Sequence, residues 1–165
     1  MTLPTTWGTA GGLDLLAYDM VIHIGLGVYD GHHQLMLESG AYNERRGVDA
    51  AAQTPQGHTI EAGGRQELHV ESMQPKYTKL ASAPLPPAWE IKVEQARPAN
   101  AFLCNETHYR ALRALTVDEE REGQRRLRAA YFLHIPYAKG NDYSELACAV
   151  ASLIGSMVRL EVERG

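Results

Sequence analysis

Apolar residues along this chain gather in short runs separated by polar, glycine- or proline-bearing segments, and the runs differ in period. Tyr18-Asp19-Met20-Val21-Ile22-His23-Ile24-Gly25-Leu26-Gly27 is nearly continuous in apolar character and closes on glycines. Such a run reads as a strand buried on both faces, as a parallel sheet covered by helices requires. A second strand is expected at Gln34 to Leu37, after the polar turn Asp30-Gly31-His32-His33. Asn43 to Arg65 is charged, glycine-containing and weakly periodic, which reads as a long loop with room for a hairpin. Behind the proline-rich stretch Pro75 to Pro87, Ala88 to Val93 alternates as a third strand. Pro98 and Asn100 then break the chain. The spacing of Tyr109, Leu112 and Leu115 predicts a helix that begins around Cys104 and runs through Leu115.

Glu119 to Arg128 is a solvated charged stretch, and Ala129 to Pro136 is the fourth and clearest strand. Tyr143 to Val162 has the apolar spacing of a long helix. Residues 1–12 read as a Gly/Thr-rich lead-in, and Leu13 to Ala17 as the end of a helix. Strands separated by helices, with Gly or Pro at the joints, argue for an α/β sandwich. The whole chain, 165 residues, fits a single domain (1–165) with a proper core.

Composition narrows the function. A formal net charge of −4 and the absence of any Lys/Arg block leave no electrostatic footprint for nucleic acid, so no nucleic-acid partner is expected. The longest apolar stretch, Leu146 to Leu160, is interrupted by Ser152, Gly155, Ser156 and Arg159, so no membrane partner is expected either. Met1 to Trp7 shows no signal peptide. Two cysteines in unlike contexts form no disulfide framework and no zinc knuckle, and a reducing, cytoplasmic setting is the simplest expectation.

Cys104 stands where a helix should begin. A thiol there meets the positive end of the helix dipole and unpaired backbone N–H groups, which favour the thiolate and can also face an oxyanion. A buried structural cysteine is the equal alternative from position alone. Cys148, in Glu145-Leu146-Ala147-Cys148-Ala149-Val150, reads as core. His134 lies in the C-terminal part of a very apolar strand, where an ionisable side chain needs a partner or a task. Sites in open α/β sheets lie outside the carboxyl ends of strands, where His134 would emerge. His23, nearer the middle of its strand, reads as a hydrogen-bonded core histidine. His32 and His33 are neighbours in a turn with no third ligand at matching spacing, so no metal site is expected. Glu38 ends the second strand, where a carboxylate can hold the Nδ1 proton of a histidine. There is no Gly-x-Ser-x-Gly elbow, and Gly25-Leu26-Gly27 is only a fragment of a phosphate loop.

Three segments together resemble the pyroglutamyl peptidase (pyrrolidone-carboxylate peptidase) family of cysteine peptidases. Tyr18 to Gly27 is similar to the family's Asp-x-Val-[Ile/Leu]-His-x-Gly-Leu strand. Ala101-Phe102-Leu103-Cys104-Asn105 resembles its nucleophile motif, and Tyr131-Phe132-Leu133-His134-Ile135-Pro136-Tyr137 the strand that carries its catalytic histidine. Order and rough spacing agree from about Tyr18 onward. The resemblance implies a three-layer α/β/α sandwich with a mixed, mostly parallel sheet of the phosphorylase/hydrolase-like kind. It further implies Cys104 as nucleophile, His134 as general base and Glu38, in Leu37-Glu38-Ser39-Gly40-Ala41-Tyr42-Asn43, as the carboxylate behind the ring. Phe102 would pack on the lactam ring of the substrate, and Asn105, Arg45 and Arg46 are the remaining candidates for substrate contacts. The implied activity is cofactor-free release of N-terminal pyroglutamate from peptides through an acyl-enzyme. Homo-oligomeric assembly is implied in the same way.

The chain also departs from the family pattern. Nothing in it matches the family's opening strand and Gly-Phe-x-Pro-Phe loop, and the helix ahead of the Ile91 strand is short. An N-terminally incomplete domain is therefore expected. The alternative function is a weakened or inactive homologue that acts as a binding or interaction protein.

Overall fold

The computed structural model describes residues 18–27, 32–46, 58–95, 103–119, 127–137 and 143–163. The lead-in, the expected helix end at Leu13 to Ala17, and Phe102 lie outside the described residues. Four strands form the main sheet: β1 (Met20–Leu26), β2 (Gln34–Glu38), β5 (Glu90–Glu94) and β6 (Ala129–Ile135), in the order β1-β6-β2-β5. β1 pairs with β6 in parallel and β2 with β5 in parallel, while β2 and β6 run antiparallel. The sheet is thus mixed and mostly parallel. Two short strands, β3 (Ala41–Tyr42) and β4 (Glu67–Leu68), form a separate antiparallel pair. They clamp the base of the 43–65 segment, where the sequence suggested a hairpin.

Helices cover both faces, and the alternation along β6 shows how. Phe132 and His134 point to the face that carries α2 (Leu103–Glu119), where His108 meets the Phe132 ring. Tyr131 points the other way, edge-on to Tyr77 of α1 (Gln74–Leu80) and hydrogen-bonded to Glu161 of α3 (Ser144–Val162). The strand is buried over Ala129–Leu133 because both faces are packed. Leu35, Leu37, Leu112, Leu115, Leu133, Leu153 and Met157 complete one continuous core.

One expectation is corrected here. β1 is not buried on both faces: it is the edge of the described sheet, and Ile24 and Leu26 remain 50% and 49% exposed. These residues share the face of Tyr131, on which α3 packs against β6. The stretch read as proline-rich, Pro75 to Pro87, opens inside a helix. A 3-10 turn (Glu71–Met73) leads into α1, with Pro75 in its first turn. Proline is well suited there, since its missing N–H would have had no partner in the helix. Met73, Tyr77 and Leu80 are buried by that helix.

Beneath the sheet, α1, α3 and β6 meet in a buried polar group. Lys76 Nζ donates to Glu161 Oε2 at 2.8 Å and to the Arg128 carbonyl at 2.6 Å, while Tyr131 Oη donates to Glu161 Oε1 at 3.0 Å. Removing one partner of such a pair strands the other charge in a poorly solvated place. Glu161→Ala should lower unfolding stability by about 3–5 kcal/mol, read as a drop in the urea midpoint. A variant with an unchanged midpoint would show that water reaches Lys76.

Candidate active site

Three side chains from three elements converge at the carboxyl end of β6. His134 comes from β6, Glu38 from the end of β2, and Cys104 from the first turn of α2. His134 Nδ1 lies 3.2 Å from Glu38 Oε1, both side chains largely buried. The Cys104 thiol is hydrogen-bonded to His134. With Nδ1 turned to Glu38, Nε2 is the ring nitrogen left for sulfur.

The backbone beside the thiol must be glycine. A Cβ built on Gly25 would stand 2.9 and 3.0 Å from Phe132 ring carbons and 3.2 Å from Cys104 Sγ. Gly25 is the register partner of His134, so the thiol sits above the pair of strands at the level of the imidazole. Gly40 serves the Glu38 turn in the same way, because a Cβ there would fall 2.5 Å from the His69 ring.

Electrostatics at His134 follow from this packing. Burial by itself pulls the imidazole pKa down, but the hydrogen bonds the ring donates to Cys104 and Glu38, and their charges, outweigh it and raise the pKa to about 9. The ring is then positively charged at neutral pH, held between a sulfur and a carboxylate. His23, on the same face, shows the uncompensated case: burial lowers its pKa. Its Nδ1 is buried without a partner among the described residues, so the expected hydrogen bond of a core histidine is not met there. The His23 ring lies against Phe132 with centroids 6.0 Å apart.

The remaining candidates fall around the thiol in other ways. Asn105 staples the start of α2 to β3: its Oδ1 accepts from the Tyr42 N–H at 2.8 Å, and its Nδ2 donates to the Tyr42 and Glu44 carbonyls, both at 2.8 Å. With its amide so engaged, Asn105 fixes the start of the helix that carries Cys104. Arg45 reaches the Thr59 carbonyl at 3.1 Å and lies 3.8 Å from Glu106, its Nε buried without a partner among the described residues. Arg46 pairs with Glu44 at 3.0 Å on the surface. Both guanidinium groups thus hold the loop beside α2. Cys148, expected in the core, is exposed on α3. The buried stripe of that helix runs through Leu146, Ala149, Leu153 and Met157, whereas Cys148 shares its face with Ser152, Gly155 and Arg159. His33 packs on Trp89 and lies 3.6 Å from Glu145. Among the described residues no group of three His, Cys, Asp or Glu side chains is arranged to hold a metal ion. No described helix is long and apolar enough to cross a membrane. Sequence reading passed over His108, which lies one turn after Cys104 and is buried; that spacing was the available signal.

No protein-family model matches the chain, and no curated protein matches it. Solved structures do. The fold is that of the pyrrolidone carboxyl peptidases. The chain superposes on the pyrrolidone carboxyl peptidase of Thermococcus litoralis with a TM-score of 0.58 at 18% identity, over 88% of this chain and 66% of that one. For the enzyme of Pyrococcus furiosus the TM-score is 0.61 at 18% identity, over 87% and 70%. For the pyroglutamyl peptidase I of Bacillus amyloliquefaciens it is 0.57 at 20% identity, over 84% and 65%. The chain therefore spans about two thirds of the length of these structures.

Two outcomes are expected. Because the folded-state pKa of His134 is raised from 6.5 to about 9, the folded chain holds that proton more tightly than the unfolded one. Its stabilising contribution is complete below about pH 6.5 and is lost as pH rises through about 9. Urea midpoints should fall across that window in the native chain and much less in Glu38→Gln; equal slopes would contradict the coupling. Gly25→Ala should destabilise the fold by about 1–3 kcal/mol through overpacking and push Cys104 away from His134. Slower alkylation of Cys104 in a Cys148→Ser background would report that displacement, and an unchanged rate would exclude it.

Proposed function

We propose that this chain is a cysteine peptidase that removes N-terminal pyroglutamate from peptides, with Cys104 as nucleophile, His134 as general acid and base, and Glu38 as the group that orients and supports the imidazole. One observation carries the reading: the thiol, imidazole and carboxylate meet in that order on a pyroglutamyl peptidase fold.

Cys104 attacks as the thiolate, the form that is nucleophilic, with its proton held on His134. A bond forms from Sγ to the carbonyl carbon of the pyroglutamyl residue, and the carbonyl π pair moves to oxygen. Backbone N–H groups in the first turn of α2, which have no acceptor inside the helix, are placed to receive that oxyanion. When the oxygen pair returns, the C–N bond breaks and His134 gives its proton to the departing amine. A thioester remains. His134, now neutral, takes a proton from water, hydroxide adds to the thioester carbon, and the Sγ–C bond breaks to release free pyroglutamate. Glu38 stabilises the imidazolium at each turn of this cycle without itself taking the proton.

The substrate presents a neutral lactam where ordinary peptides present a charged amine. A pocket built for a ring and an amide rejects a charged N-terminus, because the charge would be buried unpaired. Phe102, two residues before the nucleophile, is the proposed ring contact.

A pyroglutamyl amide with a fluorogenic leaving group tests the reading. Cys104→Ala should abolish turnover, and Glu38→Gln should lower kcat by about 10³-fold or more with a smaller effect on KM. Turnover that survives Cys104→Ala would remove the mechanism. The lack of any segment in this sequence that matches the family's Gly-Phe-x-Pro-Phe pocket loop favours one second reading, a binding protein of the same fold. Tight binding of a pyroglutamyl aldehyde with no hydrolysis of the amide would support it.

A further inference from the structure

The turn that presents Glu38 is held from three sides. Ser39 hangs on β5, its N–H and Oγ donating to the Glu94 carbonyl at 2.8 and 2.9 Å. The Ser39 carbonyl accepts from His69 Nδ1 at 3.1 Å. The Glu38 carbonyl is reached by His108, with Nε2 at 3.1 Å.

His108 is 1% exposed and lies four residues after Cys104, on the same face of α2. A carbonyl only accepts, so the bonded nitrogen is the N–H and the other, Nδ1, is bare. Nδ1 is buried and has no partner among the described residues. Burial, offset in part by the bond to the Glu38 carbonyl and reinforced by His23, His134 and His69 nearby, pushes the His108 pKa down to about 3. The ring is neutral and a single donor. As core filling this is a poor choice, since an apolar side chain of similar size would leave no nitrogen unpaired. What an apolar side chain could not do is donate to the Glu38 main chain.

We propose that His108 is a positioning residue that ties the helix of the nucleophile to the strand end of the carboxylate, so that Cys104 and Glu38 keep a fixed separation on either side of His134. The contact runs from α2 to β2 and bypasses β6, which supplies the imidazole. It closes a ring of three connections: Cys104 to His134, His134 to Glu38, and Glu38 through its own carbonyl back to the helix. The role assigned to His108 in turnover rests on the peptidase reading; its effect on the His134–Glu38 contact does not.

The test compares His108→Met, which fills the space without a donor, with His108→Gln, whose Nε2 replaces the imidazole donor. Two readouts are needed: kcat and KM on the pyroglutamyl amide, and the titration midpoint of the His134 ring by NMR. His108→Met should lower kcat by roughly 10- to 100-fold with KM changed far less, as expected when reacting groups are misplaced. It should also bring the His134 midpoint down by about one unit or more as Glu38 drifts away. His108→Gln should restore both. If the Met variant does not fold, His108→Asn, whose shorter amide cannot span the gap, takes its place. Native kcat and midpoint in the donor-less variant would overturn the proposal, as would equal losses in the Gln variant. If the native chain shows no turnover, the peptidase reading fails while the NMR midpoints still decide whether His108 places Glu38.

Discussion

The antiparallel pairing of β2 with β6 is the constraint on which the site depends. β1 runs with β6, so the β1–β6 pair alone would present a histidine and a glycine shelf with no carboxylate. Because β2 comes back against β6, with Met36 opposite His134 and Leu37 opposite Leu133, its last residue lies diagonally across from the imidazole on the same face. β6 is also the strand most deeply packed, so both partners are referred to the stiffest part of the molecule. The helix that carries sulfur is then fixed to β3 by the Asn105 staple and to Phe132 by close packing over Gly25. The thiol–imidazole contact is therefore set by backbone register together with the side-chain ties that hold α2.

Phe132 gives the site its second organising element. Its ring is flanked by His23, His108 and His134 at centroid distances of 6.0, 5.8 and 4.9 Å, and its edge lies where a larger residue at position 25 would project. The three imidazoles share one apolar neighbour but meet different partners. His134 has two acceptors and is raised, His108 has one backbone acceptor and is lowered, and His23 lacks a partner at Nδ1 and is lowered. The direction in which each imidazole shifts thus follows what its nitrogens face as well as its burial. The odd-numbered face of the strand bears a different load, since Tyr131 ends on the Lys76–Glu161 pair that joins α1 to α3.

Much of this was legible in the residues. The uninterrupted apolar run around Tyr131 to Ile135 defined β6 and made His134 conspicuous, and the Leu112/Leu115 spacing defined α2 with Cys104 near its start. Short-range periodicity could not tell which strand would be an edge, since that depends on the order of strands. Ile24 and Leu26 are as apolar as Leu133 yet lie half open. The helix at Gln74–Leu80 was not assigned from sequence, because a proline suits a helix start as well as a break and only the preceding turn distinguishes them. Cys148 misled because its immediate neighbours are apolar, whereas the residues at helical spacing, Ser152 and Arg159, already placed it on the outer face. His108 escaped notice because nothing local marks a histidine that donates to a carbonyl 70 positions away in the chain.

The outward position of Cys148 has a practical consequence for thiol chemistry on this molecule. Its two sulfurs occupy opposite settings, one half-buried against an imidazole and one on an open helix surface, so a reagent counts both but only one reports on the site. Mass-resolved labelling would separate the openly accessible sulfur from the one screened by its surroundings. In oxidising buffer, covalent pairing between two molecules through α3 becomes available without any change around Cys104.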